Sequence, residues 1–138
     1  MEDFVSFEIA KKLKKKGFRE DCIAYYHING ELLYNRDKYR GGDYKSLLKS
    51  YNSLPKNPIG CEQIDAPTIS QVLKWLRKEK EIDIILEPIF LYNENNRERE
   101  YGIKIYAPQL NKPTHLDYFK KWEKGTVAGI DYVLDNLI

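Results

Sequence analysis

The sequence predicts an α+β fold, with helices packed on one face of an antiparallel sheet of two strand pairs in the order α-β-β-α-β-β-α. Three observations point there. Asn29-Gly30 sits between two apolar runs, as a tight hairpin requires; a second pair of alternating apolar runs flanks a charged connection; and three segments repeat apolar residues at helical spacing.

Ser6 is placed to cap the first helix, with Glu8 in the first turn where the helix dipole favours negative charge. Val5, Ile9 and Leu13 recur on one line, with Ala10 beside them. Gly17 supplies the left-handed stop and Phe18 packs back on the last turn. Lys14, Lys15 and Lys16 then read as a solvated helix end, since cations are favoured at that terminus.

Asn29-Gly30 predicts a two-residue type I′ turn, both of whose central positions need positive φ. That turn sets Ile28 opposite Glu31, His27 opposite Leu32, Tyr26 opposite Leu33 and Tyr25 opposite Tyr34. One face then carries Ile23, Tyr25, His27, Leu32 and Tyr34, and the other Ala24, Tyr26, Ile28 and Leu33. Both are apolar, so the pattern does not choose the inner one.

The stretch 36–65 is broken by Gly41-Gly42, Pro55, Pro58 and Gly60, and reads as an irregular insertion in a single domain spanning 1–138. Within it Tyr44, Leu47, Leu48 and Tyr51 fall at i, i+3, i+4, i+7, which predicts a short helix ending near Pro55. A partner surface is expected in this insertion, with Tyr39, Tyr44 and Tyr51 as its aromatic candidates.

Thr68 and Gln71 form a capping box for the second helix, whose Ile69, Val72, Leu73 and Leu76 make an apolar stripe that Trp75 widens. That composition predicts a core helix. The runs IDIILEPIFLY and YGIKIYAP form the second strand pair, alternating Ile82, Ile84, Leu86 and Tyr101, Ile103, Ile105, Ala107. Pro88 marks an edge or a bend. NENNRERE reads as a charged connection with a mobile tip, and 111–121 as a proline-containing approach to the last helix. The last helix, 122–137, aligns Thr126, Ile130, Val133, Leu134 and Leu137. Gly125 and Gly129, four apart within it, predict close approach to a sheet or another helix, because an interior Gly otherwise costs about 1 kcal/mol against Ala.

At 138 residues, 42% hydrophobic and 32% charged, the chain has the size and composition of one soluble domain. Its 23 basic and 21 acidic side chains leave a formal charge of +2, too balanced for a strong sequence-independent phosphate binder. Eleven Tyr against five Phe favour half-buried sheet faces and contact surfaces, because each Tyr hydroxyl needs a partner. Cys22 and Cys61 are too few for a disulfide framework. An acidic N-terminal stretch without an apolar run, and the lack of any apolar run near 18 residues, predict a cytoplasmic location and no membrane span.

Catalysis has little to build on. His27 and His115 are the only histidines, and neither falls at a ligand or triad spacing with Cys22 or Cys61. Gly41-Gly42 lacks the Lys-Ser/Thr and helix start of a phosphate loop. The expectation is no enzyme, no cofactor and no metal. A winged helix–turn–helix would use Ser70, Lys74, Arg77 and Lys78 on the second helix against phosphates and base edges. Against it stand the broken stretch upstream, where a partner helix is needed, and Glu79 and Glu81 among the cations. Contacts with a protein partner, including a second copy of the chain, are therefore the expected mode of action, with nucleic-acid binding through 68–80 as the alternative.

APTISQVLKWLRKEK and AGIDYVLDNLI resemble the signature regions of a group of uncharacterised small proteins carried by phages and mobile elements of gut anaerobic bacteria; EIAKKLKKKGF and NGELLY resemble it more loosely. The resemblance covers about half of the chain and implies a bacterial, cytoplasmic accessory protein. It assigns no residue a role.

Overall fold

The computed structural model describes residues 3–38, 44–46, 50–52, 63–92 and 97–138. In chain order the elements are α1 (Phe7–Lys15), β1 (Ala24–His27), β2 (Leu32–Tyr34), β3 (Arg36–Lys38), β4 (Tyr44–Ser46), β5 (Gln63–Asp65), α2 (Ile69–Lys80), β6 (Asp83–Tyr92), β7 (Arg97–Tyr106), β8 (Thr114–Phe119) and α3 (Trp122–Asn136). The α+β class and the expected order of helices and hairpins hold, with further strands added between them. The two hairpins lie in different sheets, β2-β1-β5 and β6-β7-β8, and β3 pairs with β4 in a separate ribbon. The chain gathers into two compact units, Met1–Ser70 and Gln71–Ile138, divided within the first turn of α2.

In the first unit α1 forms as its sequence dictates. Ser6 Oγ accepts the Ile9 N–H at 3.2 Å. Gly17 takes φ +91° and lets the Phe18 N–H return to the Leu13 carbonyl at 3.0 Å, closing the C-terminus. Val5, Ile9, Ala10, Leu13 and Phe18 are all buried. Just before the helix, Phe4 bridges Thr68; the Val5 N–H donates to Pro67 O and the Ile69 N–H to Asp3 O.

The hairpin register differs by one residue from the expected one. Ala24 pairs with Tyr34, Tyr25 with Leu33 and Tyr26 with Leu32, across a three-residue loop. Only Gly30 takes positive φ, at +89°; Asn29 instead accepts the Glu31 N–H on its side-chain oxygen at 3.0 Å. The Gly30 N–H returns to His27 O, the pattern of a turn closed by a left-handed glycine. The structure also chooses the face. Ala24 and Tyr26 point inward, and the Tyr26 hydroxyl donates to Val5 O at 2.6 Å.

β3 and β4 pair Arg36 with Ser46, Asp37 with Lys45 and Lys38 with Tyr44, so the helix expected from Tyr44 is absent over Tyr44–Ser46. Gly41-Gly42 is a hairpin signal there and outweighs the helical spacing, of which Tyr44 was only one member. Leu47, Leu48 and Pro55 lie outside the described residues, as does the tip expected to be mobile at 93–96.

In the second unit β7 begins at Arg97, so half of the expected connection is strand. The ladder pairs Phe90 with Arg99 and Pro88 with Tyr101, and the Arg99 guanidinium lies 5.0 Å from the Tyr101 ring centre and 5.5 Å from that of Phe90. Arg97 to Glu100 are all charged and carry no apolar alternation, so a reading based on polarity alone does not detect the strand there. β8 occupies most of what was expected to be a proline-containing approach to the last helix. It pairs Thr114 with Ile105 and Leu116 with Ile103, then shifts by one residue so that Phe119 meets Tyr101. That bulge hid the alternation. Pro88 lies in β6, an edge strand, as its missing N–H demands.

α3 packs on this sheet through Gly125, Thr126, Gly129, Ile130, Val133 and Leu134, all buried. A Cβ on Gly129 would lie 2.8 Å from Ile84 Cγ2, and one on Gly125 would lie 3.2 Å from Ile103 Cδ1. The glycines are there for close approach.

α2 buries Val72, Trp75 and Leu76, while Leu73, expected in the core, is half-buried. It ends with Glu81 at φ +56°, and the Ile82 N–H reaches back to Leu76 O at 3.1 Å. A left-handed residue carrying a Cβ costs on the order of 1 kcal/mol, which Gly avoids. Glu81→Gly is expected to stabilise the protein by roughly 0.5–1 kcal/mol, read as a higher urea midpoint with unchanged m; a lower midpoint would show that the Glu side chain holds the turn.

Candidate functional site

Among the described residues, two places gather polar or exposed aromatic groups. The first is Asp65, at the end of β5 and fully buried. One carboxylate oxygen accepts the Tyr51 N–H at 2.8 Å; the other accepts the Asn52 N–H at 3.0 Å and the Ser50 hydroxyl at 3.2 Å. Asn52 answers by accepting the Asp65 N–H and donating its amide to Phe18 O at 2.9 Å. Burial raises the Asp65 pKa above the usual carboxylate value, against the lowering effect of these three hydrogen bonds. Both oxygens are engaged in holding chain segment 50–52, and the group is fully buried, so it acts as a clamp.

Cys22 belongs to the same buried region. Its thiol donates to Glu20 O at 3.5 Å, and its pKa is pushed far up, first by burial and then by the negative charge of Asp65. A thiol held protonated is a poor nucleophile. Asn35, also buried, donates its amide to Cys22 O. Cys61 lies outside the described residues.

Of the expected partner residues, Tyr51 adjoins this region. Tyr51 is half-buried, its ring 4.7 Å from that of Tyr25, and Tyr44 stands in β4 opposite Lys38. Tyr39 lies outside the described residues.

The second place is the side of the β6–β7–β8 sheet that α3 does not cover. Ile84, Leu86, Ile103 and Ile105 face the helix, so strand alternation turns Ile85, Glu87, Ile89, Gly102, Lys104 and Tyr106 the other way. Tyr118, on the bulge, joins them: its ring carbon would lie 3.1 Å from a Cβ on Gly102. Ile85, Tyr106 and Tyr118 are 45%, 42% and 63% exposed. Two pairs of charges on this side are matched internally, Lys104 to Glu87 at 3.0 Å and Asp83 to Arg77 at 2.9 Å. Sequence reasoning missed this surface because Tyr118 was placed in a loop; Ile85 and Tyr106 were legible as the off-phase members of the alternating runs.

The residues of the nucleic-acid alternative lie on one exposed side of α2: Ser70, Lys74, Arg77 and Lys78. Arg77 is bound to Asp83, and Lys78 lies 4.0 Å from Glu79. Trp75, Val72 and Leu76 are buried on the other side. His27 stands in β1 opposite Gln63, and His115 in β8 opposite Lys104. Among the described residues no three His, Cys, Asp or Glu side chains gather as a metal site, and no helix is long and apolar enough to cross a membrane. Neither protein-family models, nor curated proteins, nor solved structures match this chain.

Proposed function

We propose that the chain acts through protein contacts, with the uncovered side of the β6–β7–β8 sheet as its contact surface. The observation that carries this reading is the trio Ile85, Tyr106 and Tyr118, three large apolar side chains on one side of one sheet, each more than two-fifths exposed. Single exposed apolar residues are ordinary, but three on one side of one sheet, beside the matched pair Lys104–Glu87, have the composition of a contact surface, in which Tyr is enriched. The resemblance noted in the sequence supports a bacterial accessory role.

Binding of nucleic acid through Ser70, Lys74, Arg77 and Lys78 is the competing proposal, favoured by their shared exposure on α2. It is weakened by Arg77 being held in an ion pair with Asp83.

Ile85→Thr and Tyr118→Ser separate the possibilities. If the surface is bare, each variant in dilute solution melts with a stability within about 0.5 kcal/mol of the parent. Loss of a cooperative transition would mean that the side chains belong to a core, and would remove the surface from consideration. A mobility shift on duplex or single-stranded DNA that weakens steeply with salt, and is abolished by substituting Lys74, Arg77 and Lys78 together, would transfer the function to α2.

A further inference from the structure

We infer that the other side of this sheet, past the start of α3, binds single-stranded nucleic acid, with bases stacked on Phe90 and Trp122 and phosphates held by Arg99, Lys120, Lys121 and Lys124. The site is independent of the contact surface proposed above, which lies on the opposite side. Gly125 sits against Leu86 and Ile103 and Gly129 against Ile84, so α3 runs away from the tip of the β6–β7 hairpin. Its start follows Phe119, the ladder partner of Tyr101, with Lys120 and Lys121 between. Strand alternation puts Pro88, Phe90, Arg99 and Tyr101 on the α3 side of the sheet, beyond that start. Phe90 and Arg99 are exposed there, as are Lys120, Lys121, Trp122 and Lys124 at the beginning of the helix.

Charge and rings together select the ligand. Glu87 and Glu100 turn to the other side of the sheet, and Glu123 is the only carboxylate beside the three lysines at the helix start. Among the described residues Arg99, Lys120, Lys121 and Lys124 form no ion pair, so their charge is available to an anion. The Arg99 guanidinium lies over two rings, 5.0 Å from the centre of Tyr101 and 5.5 Å from that of Phe90. A guanidinium over a ring engages through its face, which leaves the N–H fork at its rim for a phosphate. Phe90 and Trp122 keep 41% and 40% of their surface exposed. Cations interleaved with exposed rings suit a strand whose bases are unpaired, because every base has a π face to stack. A duplex keeps those faces within its own stack, and an acidic peptide would use the cations but not the rings. The formal charge of +2 over the whole chain adds little attraction from afar, so the affinity is local and moderate, with a dissociation constant on the order of 10 μM.

Fluorescence anisotropy of labelled oligo-dT and oligo-rU of about twelve nucleotides, titrated with the whole chain, tests this. Binding of either is the expected result, and the tighter of the two identifies the preferred sugar. The logarithm of the affinity falls against the logarithm of salt concentration with a slope of about −3, as four neutralised phosphates require. Phe90→Leu, which keeps an apolar side chain but removes the ring, weakens binding at least about fivefold, whereas Phe90→Trp retains it. Arg99→Gln weakens binding and flattens the salt slope by about 0.7. Substituting Lys74, Arg77 and Lys78 together leaves it unchanged. No binding at about 100 μM protein overturns the site. So does binding that ignores Phe90→Leu and Arg99→Gln, that Phe90→Trp loses as fully as Phe90→Leu, or that is lost with the three α2 cations. A duplex of the same length bound as tightly, or poly-glutamate competing as well as the oligonucleotide, overturns it too. None of these results touches the contact surface on the opposite side, which is read from the melting of Ile85→Thr and Tyr118→Ser.

Discussion

Asp65→Ala is expected to lower the unfolding free energy by about 3 kcal/mol, the scale of deleting a buried charged acceptor that serves several donors. The Tyr51 and Asn52 N–H groups and the Ser50 hydroxyl lose their acceptor together, and the Asn52 link to Phe18 O at the end of α1 loses its anchor. The measurement is the urea midpoint at constant m. A loss under 1 kcal/mol would mean that water replaces the carboxylate and that the clamp is incidental. Asp65→Asn keeps the shape and adds a pH test. Because burial raises the folded pKa above the unfolded one, the proton binds the native state more tightly. The stabilisation from that proton is fully present below the ordinary carboxylate value and is lost as pH rises through the raised one. The stability of the parent relative to Asp65→Asn therefore falls across that window and is flat above it. A relative stability that rises with pH there would reverse the assignment and make the hydrogen bonds, not burial, the dominant influence.

Gly129→Ala sets two effects against each other. Helix propensity favours Ala by about 1 kcal/mol, whereas overpacking a filled contact costs about 1–3 kcal/mol. At 2.8 Å from Ile84 Cγ2 the added carbon cannot be accommodated without movement of α3 or β6. The clash wins, with a net loss of about 1–2 kcal/mol. Ile84→Ala removes the obstructing atom, so the double variant is expected to lose less than the sum of the two single ones. Strict additivity, or a stabilised Gly129→Ala, would show that the helix stands further from the sheet.

Local chemistry written into a few adjacent residues was legible in advance. Ser6, Gly17 and Phe18 start and stop α1 by hydrogen bonds that span no more than six positions, and the structure places them as expected. The paired glycines of α3 were readable for a related reason: a residue that lowers helix stability needs a packing partner, and Ile84 and Ile103 are those partners. Asn29-Gly30 was readable only as a hairpin. Its register turned on whether Asn29 took positive φ or used its side chain on Glu31, two options close in energy, and one residue of slip exchanges the faces.

The candidate surface and the buried clamp were less accessible. β8 is short, polar at alternate positions and interrupted by a bulge, so its pairing with β7 had no signal in its own letters. Asp65 resembled any acidic residue near a proline. Its role arises from segment 50–52, which reaches it across more than ten positions of chain.

Caps, stops, helical stripes and the α+β class follow from interactions between neighbours in the chain, and the order of residues specifies those directly. Strand register, the side of each sheet that is covered, and the partners of a buried carboxylate follow from which distant segments meet. That is decided by a sum over many long-range contacts, none strong enough alone to be read from the residues that make it.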